Sequence, residues 1–277
     1  MINIKKCSEV SKEIVFKTFK AGFSDYMVKL SIEQEYFFKR FFGAEGNSLE
    51  LSYIAMDDDK GIGVVLGGIR EFDKLKTLRC GTMCIIPEMR GKGIAQELFD
   101  LHMETAKKEN CKQLFLEVIK GNDRAIKFYE KNGYMKVFDL NYYSTDDFNF
   151  LEVISDDSIE VLNFEELKIF RNNFSDVHIN WQNETDYMEH TEADYFGIKE
   201  NGELIAAISS IKGNIMFLGV LEKYRNKNFA KKLIKHSLKE NKIINASFSN
   251  NASLARFFIK CGFSRKDISQ YEMYKYV

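Results

Sequence analysis

The sequence predicts an α/β fold with a mixed sheet of α+β character, present as two tandem copies. Three observations carry this: an ordered alternation of strand and helix patterns in the first part, the return of the latter half of that order, and a length of 277 residues. That length exceeds one ordinary domain and falls short of three. The repeat is visible directly. Tyr224-Arg225-Asn226-Lys227-Asn228-Phe229-Ala230 stands 135 positions after Met89-Arg90-Gly91-Lys92-Gly93-Ile94-Ala95, and Asn251 to Phe263 matches Asn122 to Tyr134 at an offset of 129. Self-similarity of this kind, with the elements in the same order, marks one unit used twice. The expected boundary lies near residues 144 to 150, giving domains 1–145 and 146–277.

The first copy opens on a strand at Ile2 to Lys5, followed by helical stretches from about Glu9 to Phe19 and from about Ile32 to Phe42, with Ser31 and Gln34 as a capping box. Apolar runs at Leu51 to Met56, Gly63 to Ile69 and Thr77 to Ile86 predict an antiparallel meander, with Asp57 to Gly61 as its first turn. A helix from Gly91 to about Lys108 shows Ile94, Leu98 and Leu101 on one face. The strand Gln113 to Val118 follows, then a helix Asp123 to Lys131 that ends at Asn132-Gly133. The strand Tyr134 to Tyr143 is expected to close the unit.

Composition narrows the function classes. With 45% hydrophobic, 14% aromatic and 29% charged residues the chain reads as globular. Net charge is −1, divided as +2 up to Thr145 and −3 after it, with both signs interspersed, so no nucleic-acid partner is expected. The polar start Met1 to Lys6 and the lack of a long apolar run predict a cytoplasmic chain with no membrane partner, and the sequence leaves monomer and homodimer both open. Five cysteines without a Cys-x-x-Cys pair read as reduced, mostly buried thiols, and four histidines without helical pairing predict no metal.

Arg90-Gly91-Lys92-Gly93-Ile94-Ala95 lies where a strand ends and a helix begins, so unpaired amides and the helix dipole favour an anion there. Gly91 and Gly93 let the backbone approach a diphosphate, and Arg90 and Lys92 add positive charge at its rim. Neither a Walker loop nor a dinucleotide fingerprint is present. The segment resembles the nucleotide motif of the GNAT acyltransferase superfamily, with Arg90, Gly93 and Ala95 at its fixed positions. Asn122, Ala125, Tyr129, Gly133 and Tyr134 resemble its second motif.

The resemblance implies acetyl-CoA as co-substrate, lying between two splayed parallel strands, Thr77 to Ile86 and Gln113 to Val118. It implies that backbone N–H groups of Met83 and Ile85 hold the thioester carbonyl and pantetheine arm. It assigns the coenzyme site to Met83, Ile85, Arg90, Gly91, Lys92, Gly93, Ile94, Ala95 and Asn122. It also implies that Tyr129 protonates or hydrogen-bonds the departing thiolate and that Glu117 acts as general base, through water, on the incoming ammonium. Glu117 reads equally as a surface or ion-paired carboxylate. Substrate contacts are expected from Asp25 and Tyr26, on the loop after the first helix, and from Trp181, which reads equally as core.

In the second copy Gly91 and Gly93 align with Asn226 and Asn228, Tyr129 with Phe258 and Glu117 with Ala246. That copy is expected to be degenerate, structural or substrate-shaping. The functional expectation is an N-acetyltransferase that moves an acetyl group to a primary amine of a small molecule or peptide by direct attack in a ternary complex. Two alternatives stay open: a non-catalytic acetyl-CoA-sensing module, and an acyltransferase that uses a longer acyl-CoA.

Overall fold

Local chemistry fixes where the elements of the first copy begin. A computed structural model describes residues 2–29, 31–151, 159–238 and 240–277. After β1 (Ile2–Lys6), the Ser11 side chain accepts a hydrogen bond from Ile14 N and starts α1 (Lys12–Gly22), three residues later than expected. The helix α2 (Gln34–Lys39) continues into a π turn over Arg40–Ala44. Its N-cap is Glu33, with no side-chain cap bond, so the expected Ser31–Gln34 capping box is corrected. Ile32 packs into an aromatic core on its approach, and the helix begins only after that contact.

The meander follows as β2 (Ser48–Asp57), β3 (Lys60–Phe72) and β4 (Leu75–Ile85), then α3 (Ile94–Lys108), β5 (Gln113–Ile119), α4 (Asp123–Lys131) and β6 (Met135–Thr145). The second copy runs β7 (Ile159–Val161), α5 (Phe164–Arg171), α6 (Thr185–Met188), β8 (Asp194–Glu200), β9 (Glu203–Ile211) and β10 (Asn214–Val220). It ends with α7 (Phe229–Leu238), β11 (Ile244–Ser249), α8 (Ala252–Lys260) and β12 (Ser264–Tyr276).

The chain folds as two units, but their division differs from a cut at residue 145. The first unit comprises Met1–Val137 and Tyr271–Val277, the second Phe138–Gln270. In the first, the order is β1-β2-β3-β4-β5, with the end of β12 beside β5. In the second, β6 pairs antiparallel with β11, from Ile244 opposite Thr145 to Ser249 opposite Leu140. So β6, expected to close the first copy, instead serves the second. Most of β6 thus belongs to the second unit and the end of β12 to the first. Both strands follow a helix and a left-handed glycine, Gly133 at φ 85° and Gly262 at φ 80°, so local signals do not distinguish their partners.

Two apolar clusters build the first unit. Leu98, Phe99, Ile126 and Tyr129 pack with strand residues such as Val65 and Leu78, while Phe16, Phe19 and Phe37 pack with Ile54, Val64 and Leu66. In the second unit Leu233, Ile234 and Phe258 play the part of the α3–α4 cluster against Ile208 and Phe248. Burial of these aromatic and branched side chains, each contributing about 1.5–3 kcal/mol, holds the sheets rigid under the sites they carry.

Candidate active site

A gap in the first sheet is the feature on which the site is built. Strands β4 and β5 pair in parallel only over Thr77–Gln113, Leu78–Leu114 and Arg79–Phe115, although β4 continues to Ile85 and β5 to Ile119. A bulge at Gly81, opposite Leu66 and Gly67, turns β4 just beyond the last pair. Ile86 N donates to Ile62 O at 3.0 Å, which makes residues 62 and 86 a hydrogen-bonded pair. Counting back in an antiparallel ladder, Cys84 also faces β3, while Met83 and Ile85 direct their N–H groups into the gap.

At the mouth of the gap the helix begins later than the sequence suggested. Gly91 and Gly93 adopt left-handed φ values of 78° and 87°, and α3 starts at Ile94 rather than Gly91. Gln96 N and Glu97 N both donate to Gly93 O, at 2.8 and 3.2 Å, so the amides of Ile94 and Ala95 stand ahead of the first intrahelical bonds. A cavity of about 230 Å³ opens here, lined by the glycine turn, Ile85 and two residues of α4, Arg124 and Phe128. A Cβ on Gly91 would meet no described atom within 4 Å, so glycine is needed there for conformation and not for room in the chain itself.

Arg90 is not a loose cation on the rim. Its guanidinium donates to Ile85 O at 3.0 Å and Gly22 O at 3.1 Å and clamps both carboxylate oxygens of Asp25 at 2.6 and 2.7 Å. The hydrogen bond from Arg90 holds the Asp25 carboxyl below the usual carboxylate range. Asp25, expected as a substrate contact, has its charge matched by Arg90, 65 residues away in sequence. Lys92 is exposed at the turn. Arg124, which belongs to no motif in the sequence, lines the same cavity.

Tyr129 comes from α4, whose N-cap Asn122 accepts from Ala125 N at 3.3 Å. Asn122 also meets the Tyr26 hydroxyl, so the loop after α1 is tied to the start of α4. Replacing Asn122 by Ala should destabilise the unit by about 1 kcal/mol, read as a lower denaturation midpoint. The Tyr129 ring packs on Phe99 and Tyr134 at 5.6 and 6.0 Å, and its hydroxyl meets the Cys80 thiol on β4. Burial raises Tyr129 well above an ordinary phenol and pushes Cys80 up to about 12. Both groups therefore stay protonated at neutral pH. Cys80 had no sequence signal, because its role as the contact for Tyr129 depends on the bulge at Gly81.

Glu117 lies inside a chain of buried charges. Its carboxylate meets Arg79 at 2.6 Å, and Arg79 meets Glu45 at 2.7 Å. Arg40 reaches Glu45 from outside at 3.3 Å. Burial lifts the Glu117 carboxyl above the usual range against the opposing pull of Arg79, with Glu272 and Glu45 adding to the rise. Glu45 is equally buried, yet the guanidiniums of Arg79 and Arg40 hold it below that range. A raised carboxyl with a guanidinium partner is a better base than a surface glutamate and remains charged only while the pair is intact.

The sequence model of the acetyltransferase (GNAT) family matches residues 13–134 and again 160–263. The chain belongs to this family. N-alpha-acetyltransferase 30 of Schizosaccharomyces pombe is 32% identical over 107 residues, which covers 37% of this chain and 71% of the relative. A tandem GNAT protein from the clavulanic acid biosynthesis pathway superposes with a TM-score of 0.67 at 12% identity, covering 100% of this chain and 98% of the other. A probable N-acyltransferase from Enterococcus faecalis gives 0.65 at 16%, covering 100% and 72%. At these identities the solved structures show the fold. The two matches of the family model give two tandem domains of this family, and the curated relative supports an acyltransferase enzyme.

The second unit repeats the gap. Strands β10 and β11 pair only over Asn214–Asn245 and Ile215–Ala246, and a bulge at Met216 stands where Gly81 does in the first copy. Asn226 and Asn228 both hold φ at 64°, so the turn keeps its left-handed shape with side chains in place of glycines. Arg225 donates to Val220 O at 3.2 Å, as Arg90 does to Ile85. Trp181, expected as a substrate contact, is buried, at 1% exposure. Nearby, Asn183 donates to Ser247 O at 2.8 Å, on β11 just past Ala246, its last residue paired with β10. Among the described residues no group of three or more His, Cys, Asp or Glu side chains is arranged for a metal.

Proposed function

We propose that the first unit transfers an acetyl group from acetyl-CoA to a primary amine of a small molecule or peptide by direct attack in a ternary complex. The observation that carries the reading is the gap beyond Arg79 and Phe115, with two strand amides directed into it and a left-handed glycine turn at its mouth. The turn and the first α3 amides suit a diphosphate, with Arg124 adding charge. The amides of Met83 and Ile85 suit the thioester carbonyl and the pantetheine arm, and a preset donor meets the oxyanion as it develops.

The amine nitrogen attacks the carbonyl carbon, the C–N bond forms as the C–S bond breaks, and the thiolate leaves toward the Tyr129 hydroxyl. Tyr129 acts chiefly as a hydrogen-bond donor, because burial raises it and a buried thiolate alike. Glu117 takes the ammonium proton through water, its raised carboxyl narrowing the gap to an amine. The name of the S. pombe relative favours an α-amine as acceptor. In the second unit Phe258 and Ala246 supply neither acid nor base, which supports a structural or substrate-shaping part.

Incubation with acetyl-CoA and a panel of amines and short peptides, followed by free thiol, tests the proposal. Thiol release with one acceptor class supports it. Binding of acetyl-CoA without turnover on any of them overturns it. The glycine turn has its own test. Asn226 and Asn228 show that asparagine holds the left-handed turn, so Gly91→Asn with Gly93→Asn should leave thermal stability within about 1 kcal/mol. The same pair should weaken acetyl-CoA binding about tenfold or more in calorimetry, since side chains then stand between the amides and the diphosphate.

A further inference from the structure

The larger of the two clefts is not the one with the catalytic residues. The strand gap of the second unit opens into a cavity of about 670 Å³, against about 230 Å³ at the glycine turn of the first. We propose that this second cleft is a binding site for a small anionic amphiphile, an apolar chain with a carboxylate or phosphate at one end and a hydroxyl or amide N–H toward the other.

Three independent observations converge on that chemistry. The walls are apolar, with Phe174, Phe217, Phe229 and Phe257 among them. The charges on the lining have one sign: Arg225, Lys231, Arg256 and Lys260 contribute to it, and among the described lining residues there is no Asp or Glu. None of the last three makes an ion pair with a described residue, so a ligand anion would meet unneutralised cations. Finally, Asn180 lines the cleft at 1% exposure, and its side-chain oxygen has no hydrogen-bond partner, while its amide donates to Gln182. A buried acceptor left unmade is costly and calls for a donor from the occupant. Asn180 O accepts from Asn183 N at 2.8 Å, and Asn183 donates to Ser247 O on β11, so this acceptor sits on a turn that lines the cleft beside the strand gap.

Coenzyme A fits this site less well than the first. Asn226 and Asn228 put side chains at the turn where backbone would approach a diphosphate, and recognition passes to the cationic side chains of the lining. The amphiphile therefore belongs to a different class from the co-substrate of the first unit.

Isothermal titration of the full chain with dodecanoate, ω-hydroxydodecanoate, dodecyl phosphate and dodecyltrimethylammonium tests the proposal. The anions should bind at one site per chain and at least about tenfold more tightly than the cation. Comparing carboxylate with phosphate decides which headgroup is preferred. The hydroxyl should add about fivefold, an increment that Asn180→Ala abolishes. Reversing two cations, Lys231→Glu with Arg256→Glu, should weaken anion binding about five- to tenfold and leave acetyl transfer unchanged. Equal binding of the cationic amphiphile, unchanged binding in the charge-reversed chain, or displacement by an equal concentration of coenzyme A would each overturn it. Because the readout is binding at the second unit, its failure is separable from any failure of catalysis at the first.

Discussion

Tyr129→Phe is expected to lower kcat for acetyl transfer by roughly 10²–10⁴, the usual loss when a positioned acid is removed. That corresponds to about 3–5 kcal/mol of transition-state stabilisation. Only the hydroxyl is lost. The ring keeps its packing on Phe99 and Tyr134, and the second copy already houses a phenylalanine, Phe258, at the matching place in its own core. The unfolding midpoint should therefore move little while the rate collapses. Initial rates of thiol release, set beside a thermal melt of the same sample, check both halves. A rate within tenfold of the parent would remove Tyr129 from the chemistry, whatever else the chain does.

Arg79→Ala should destabilise the protein by about 3–5 kcal/mol, since it strands Glu45 and Glu117 as buried carboxylates. The pH dependence gives the cause away. In the parent, Glu45 is held below its ordinary range, so its contribution is present above the unfolded carboxylate pKa and is lost as pH falls through the folded one. Glu117 is raised, so its contribution is present below the unfolded pKa and is lost as pH rises through the folded one. Without Arg79 both carboxyls are raised, and the deficit should grow as pH climbs from about 4 to 7. Denaturant midpoints at both ends of that span read it directly. A deficit that does not change with pH would mean that lost packing, not stranded charge, is responsible. Glu117→Gln adds the catalytic arm: the acid limb of kcat/KM, which should lie above the ordinary carboxylate range, should disappear.

What the sequence by itself determined was local and periodic. The two copies, the helix that follows each left-handed turn, the asparagine caps at Asn122 and Asn251, and the glycine stops at Gly133 and Gly262 all follow from contacts a few residues apart. Backbone conformation and capping are decided at that range, so the pattern is legible without the fold. The tertiary structure alone decided which strand serves which sheet, because β6 and β12 carry equivalent local signals and a strand's partner is a nonlocal choice. It also decided that Asp25 answers Arg90, that Arg79 joins Glu45 to Glu117 and that Tyr129 meets Cys80. Those pairs span 34 to 65 residues. Charge and hydrogen-bonding capacity are written in the residues, but the choice of partner depends on which groups burial forces together.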